Sequence, residues 1–125
     1  MIMKYDNKKF IWLAAYAAEI GARLSLDGQC GIGRDCVGIM SQHSYLELPE
    51  DTPGKPTKAY HKHSCLAVLG HDEDAFNQLY DWCVALKNDG YNKANVRPNP
   101  DYDKNSGLLG ILMGSHQIEE LIKVG

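Results

Sequence analysis

Three groups of residues in this 125-residue sequence carry side chains suited to chemistry or ligand capture. The first is His61-Lys62-His63-Ser64-Cys65. On one extended strand, residues 61, 63 and 65 face the same side, about 7 Å apart in steps of two. Two imidazoles and a thiol so placed are zinc-competent, and His71, His43 or another cysteine is available as a fourth ligand. Such a set would serve a metal-dependent hydrolase. Against it, the chain has neither Cys-x-x-Cys nor His-Glu-x-x-His, and Cys30 and Cys36 are too far apart for a zinc knuckle. The competing reading makes Cys65 a core residue and the two histidines the flank of an exposed strand start.

The same segment is the one strongly positive stretch of the chain. Lys55, Lys58 and Lys62 lie within eight residues, beside His61 and His63, and no carboxylate interrupts residues 52–65. Tyr60 adds a ring able to stack on a base or ribose. Lys58, Tyr60, His61 and Lys62 are therefore a candidate seat for a phosphate-bearing anion, with a solvated loop as the alternative. The third group is Trp82 with Asn92, Asn95 and Arg97. The ring can stack, the amides can read base edges, and the guanidinium can hold pyrophosphate. That use needs Trp82 on the flank of its helix, between core and solvent. Otherwise Trp82 fills a core or dimer gap, and Arg97 pairs with Asp101 or Asp103.

Two glycine-rich stretches have the composition of phosphate cradles but not the pattern. Gly28-Gln29-Cys30-Gly31-Ile32-Gly33-Arg34 follows a helix and lacks the Lys-Ser/Thr ending of a P-loop, and in Gly54-Lys55-Pro56-Thr57 the proline breaks the pattern. Turns explain both, although Arg34 and neighbouring N–H groups remain a candidate pyrophosphate contact. No Gly-x-Ser-x-Gly nucleophile elbow occurs. The inventory suits binding better than catalysis.

The elements that must position these residues follow from periodicity. Phe10, Leu13, Ala14, Ala17, Ala18, Ile20 and Leu24 recur at helical spacing, with Asp6 or Asn7 as N-cap, predicting a helix that ends before Asp27-Gly28. Trp12 and Tyr16 share a face beside the alanines, a surface small enough for close approach of another subunit. Cys36 to Met40 and Ser44 to Leu48 read as strands, residues 49–58 as a proline-broken loop, and residues 59–69 as one long strand. Gly70-His71-Asp72 opens a second helix burying Phe76, Leu79, Tyr80, Cys83 and Leu86 and stopping at Asn88-Asp89-Gly90. Residues 95–98 read as a strand, 98–106 as a loop, 108–113 as an apolar run and 115–123 as a short final helix. The expected architecture is a single α+β domain over residues 1–125, a small mixed or antiparallel sheet packed by two main helices.

Composition bounds the function. Thirteen basic and 16 acidic residues give a net charge of −3, which argues against duplex-DNA binding. Apolar residues make up 44% and charged ones 23%, which fits a globular domain. No apolar run reaches the roughly 18–20 residues of a membrane span, and the opening residues do not form a signal peptide. A cytoplasmic chain with reduced cysteines is expected.

The Ala-rich first helix, the Tyr60-His61-Lys62-His63-Ser64-Cys65-Leu66-Ala67-Val68-Leu69-Gly70 segment and the 72–86 helix together make a layout that resembles the first Thoeris anti-defence family, the phage-encoded sponge proteins. The resemblance implies binding of glycocyclic ADP-ribose, a signal made by a host TIR-domain enzyme, and its sequestration intact in the cytoplasm of the infected bacterium. It implies a homo-oligomer, dimer or hexamer, with a signal pocket of aromatic, amide and arginine side chains from neighbouring subunits. In hexameric members a second pocket takes cyclic oligonucleotides. Neither cofactor nor catalysis is implied. The candidate residues come from this chain's own chemistry and not from a shared motif. Two other classes compete: a metal-dependent hydrolase of cyclic nucleotides, and a protein–protein inhibitor of a host factor.

Overall fold

A computed structural model of the chain describes residues 5–29, 33–62 and 65–100. Helix α1 spans Asn7–Glu19, and the Asp6 carboxylate accepts from the Lys9 backbone N–H at its start. The helix stops well before the expected end near residue 26. Gly21 takes φ +73°, the Gly21 N–H donates to the Ala18 carbonyl, and the Ala22 N–H donates to the Ala17 carbonyl. This pair of bonds satisfies carbonyls at the helix end, and only glycine adopts the left-handed turn without strain. Leu24, which falls at helical spacing from Ile20, belongs instead to strand β1, Arg23–Gln29. In that strand Leu24 and Leu26 alternate with polar residues.

Strands β2, Asp35–Met40, and β3, Ser44–Leu46, follow, and residues 49–58 form the expected irregular connection. The stretch expected as one strand is a hairpin. Strand β4, Ala59–Lys62, turns back into β5, Cys65–Leu69, with Lys62 opposite Cys65 and Ala59 opposite Val68. Helix α2, Glu73–Asn88, is capped by the Asp72 carboxylate, which accepts from the Ala75 N–H at 2.9 Å. A short 3-10 turn, Lys93–Asn95, leads into β6, Val96–Pro98, which pairs with β3. The expected run at 108–113, the expected helix at 115–123 and the greater part of the expected 98–106 loop lie outside the described residues.

Four strands form one antiparallel sheet in the order β1-β2-β5-β4, and β3 with β6 forms a separate two-stranded ribbon. The α+β class therefore holds, with the larger sheet fully antiparallel. Both helices contribute to one core. Leu13, Tyr16, Ala17 and Ile20 of α1 meet Val37, Ile39, Leu66 and Val68 of the sheet and Phe76, Leu79, Trp82, Cys83 and Leu86 of α2. Each large side chain so buried stabilises the fold by about 1.5–3 kcal/mol. The Tyr16 hydroxyl donates to the Tyr91 carbonyl at 2.9 Å, and burial keeps that phenol protonated. On the opposite sheet face Cys36 and Ala67 are fully buried, with Met40, Tyr60, Cys65 and Leu69 packed against them.

Ala17 is buried, while Ala15 and Ala18 face outward beside Ile11, which is 59% exposed. Trp12 stacks on Tyr16 with ring centroids 5.4 Å apart. Among the described residues no helix is long and apolar enough to cross a membrane.

Candidate anion-binding cleft

The strand order decides which basic residues meet. Because β2, β5 and β4 are successively antiparallel, the start of β2, the end of β5 and the start of β4 share one end of the sheet. The Leu69 N–H donates to the Lys58 carbonyl at 3.1 Å, and the Gly70 N–H donates to the Asp35 carbonyl at 2.9 Å. These bonds fix an open cleft of about 720 Å³, lined by Arg34, Asp35, Lys58 and His71 with Gly33, Leu69 and Gly70. The Tyr5 hydroxyl donates to the His71 carbonyl at 2.8 Å and ties α1 to the same end.

Arg34 and Lys58 bring two permanent positive charges, and His71 adds an imidazole. Asp35 lies 3.7 Å from His71 Nε2, with both side chains more than half exposed, so the pair is worth little in free energy. Helix α2 begins beside the cleft, but Asp72 already occupies its first amides, and Glu73 and Asp74 follow. An anion bound here rests on side-chain cations and not on the helix dipole. Arg34 and Lys58, proposed above in separate groups, thus belong to one cleft. The sequence pattern offers His71 as a metal ligand and gives no signal for Asp35. Both lie at strand ends whose proximity depends on sheet order, which no local pattern reveals. A second cleft of about 460 Å³, lined by Gly21, Arg23, Met40 and His43, lies at the other end of the sheet.

The remaining candidates are dispersed. Trp82 is 0% exposed, which corrects its expected place between core and solvent. The buried stripe of α2 is wider than expected and includes 82 as well as 79, 83 and 86. The flank is also covered by the 49–58 connection, whose Gly54 backs onto Ala85 and the Trp82 ring. Asn92 and Asn95 cap each other's turn: the Asn92 side chain accepts from Ala94 N–H at 2.8 Å, and the Asn95 side chain accepts from Asn92 N–H at 3.1 Å. Arg97 donates to the Ala94 and Val96 carbonyls and pairs with Glu47 at 3.5 Å. Asp101 and Asp103, the partners expected for it, lie outside the described residues.

The basic segment likewise divides. Tyr60 packs on the Cys36–Ala67 face, whereas His61 turns to the helix face and meets the Trp82 ring, with centroids 6.1 Å apart. Burial first, then the Lys55 charge, lowers the His61 pKa, with Glu50 opposing. His61 is therefore neutral at pH 7, not a cation for phosphate. Lys62 closes β4, and its side chain is outside the described set.

The hairpin also undoes the proposed metal row. His61 lies opposite Leu66, and Cys65 lies opposite Lys62, which puts His61 and Cys65 on opposite sheet faces. The Cys65 thiol donates to Met40 Sδ at 3.4 Å. His63 lies outside the described residues, and among those described no three His, Cys, Asp or Glu side chains gather as a metal site. Cys83 is fully buried, and burial keeps its thiol protonated. Comparison with known protein families, with curated proteins and with solved structures finds no match.

Proposed function

We propose that this chain is a binding protein that captures a small phosphate-bearing nucleotide signal and holds it without altering it. The observation that carries this reading is the meeting of Arg34 and Lys58, 24 residues apart in sequence, in one open cleft of about 720 Å³. That volume suits a small-molecule site, and two permanent cations suit phosphate oxygens. Together with the layout described above, this supports an anti-defence sponge for glycocyclic ADP-ribose acting in the cytoplasm of an infected bacterium. Sequestration needs tight binding and slow release, with no transition state to favour. The outward stripe of Ile11, Ala15 and Ala18 on α1 supports a homo-oligomer.

The test is co-expression with an active TIR-domain enzyme, followed by purification, heating and mass spectrometry of the released small molecules. A sponge releases the intact signal. Release of a cleaved product would make the protein an enzyme, and release of no nucleotide together with a co-purifying host protein would make it a protein–protein inhibitor.

A further inference from the structure

Among the described residues, three polar side-chain atoms are buried without a hydrogen-bond partner: Thr52 Oγ1, His61 Nδ1 and Trp82 Nε1. Buried polar groups are nearly always partnered, so three exceptions in one neighbourhood call for one explanation. Their residues are neighbours in the packing. His61 meets the Trp82 ring at 6.1 Å between centroids. Thr52 begins the turn that Lys55 closes, its carbonyl accepting from the Lys55 N–H at 3.4 Å. Within that turn, a Cβ on Gly54 would lie 3.9 Å from Trp82 Cδ1, the ring carbon bonded to Nε1. Thr52 and Trp82 are 5% and 0% exposed.

The chemistry of the three atoms is complementary to one oxygen. An indole N–H only donates, a hydroxyl donates and accepts, and a neutral imidazole offers one acceptor nitrogen. None of the three reaches another within hydrogen-bond geometry. We infer that Thr52, His61 and Trp82 form a binding site for a single buried water. The water accepts from Trp82 Nε1–H, donates to His61 Nδ1 and bonds the Thr52 hydroxyl, the roughly three contacts usual for an internal water. It bolts the 49–58 connection to α2 and β4. Because the far end of that connection is held by the Leu69 to Lys58 bond, the segment is fixed at both ends.

Nuclear magnetic resonance of the whole chain tests the site, with the Trp82 indole proton assigned through Trp12→Phe. The wild-type indole proton shows a cross-peak to a long-lived water, and His61 Nδ1 carries no proton. Thr52→Val removes the cross-peak and speeds indole exchange at least about tenfold, whereas Thr52→Ser keeps both at wild-type values. A wild-type indole proton without a water cross-peak, or a Thr52 hydroxyl bonded directly to His61 Nδ1, overturns the inference. If Thr52→Val fails to fold, the wild-type and Thr52→Ser spectra decide it alone.

Discussion

Replacing Gly54 by alanine isolates the contact that buries Trp82. Gly54 holds φ +72°, and a Cβ there would stand 2.7 Å from the Ala85 Cβ on α2. An L-residue in the left-handed region costs about 1–2 kcal/mol. Forcing a methyl into a packed contact adds about 1–3 kcal/mol. The stiffer unfolded chain returns about 0.4–1 kcal/mol. Gly54→Ala therefore destabilises by about 1–4.5 kcal/mol, a sizeable part of a typical stability of about 5–15 kcal/mol. Urea unfolding followed by circular dichroism measures it. Ala85→Gly opens the space at a cost of about 1 kcal/mol in helix propensity. In that background Gly54→Ala loses only the backbone term, so the double-mutant cycle returns a coupling of about 1–3 kcal/mol. A neutral Gly54→Ala, or an equal loss in both backgrounds, would refute the packing of the 49–58 connection on α2.

Trp82→Ala removes a fully buried ring and should cost about 3–5 kcal/mol of stability, read as a large fall in melting temperature; a variant that melts like wild type and loses only ligand affinity would return Trp82 to the binding surface. The His61 imidazole has a lowered pKa in the fold, so below about pH 6.5 the unfolded chain takes up a proton that the folded chain resists. Stability should therefore fall as pH drops from about 6.5 toward the lowered folded pKa, and His61→Asn should flatten that slope in urea titrations; an unchanged slope would place the titration elsewhere. Ile11→Lys should lower the mass seen by light scattering toward the 13.9 kDa monomer, and a wild type already at that mass would end the oligomer proposal.

Local signals located the elements where capping and patterning act within a few residues. Asp6 and Asp72 cap their helices as their chemistry predicts, and the apolar runs at 36–40 and 65–69 are the two central strands. Strand β1 was hidden because Leu24 sits four residues after Ile20, in phase with the helix, and the stop at Gly21 outweighs that phase. The break between β4 and β5 was hidden because residues 59–69 contain neither glycine nor proline to mark it. Trp82 stands on the edge of the helical stripe, and its burial depends on a connection some 30 residues upstream. The cleft depends on strand order. Arg34 and Lys58 each stood out by type, but only the antiparallel arrangement of β2, β5 and β4 makes them neighbours.

The central claim is that Arg34 and Lys58 hold a phosphate-bearing signal in one cleft. Isothermal titration of the purified chain with glycocyclic ADP-ribose, beside Lys58→Glu and Arg34→Ala, tests it most directly. A charge-assisted bond is worth about 1.5–3 kcal/mol, so each variant should bind about 10- to 150-fold more weakly while its circular-dichroism melt stays at the wild-type value. Saturable wild-type binding with that loss in both variants is the predicted result. Absence of binding by the wild type, or full affinity in Lys58→Glu and Arg34→Ala, would contradict it.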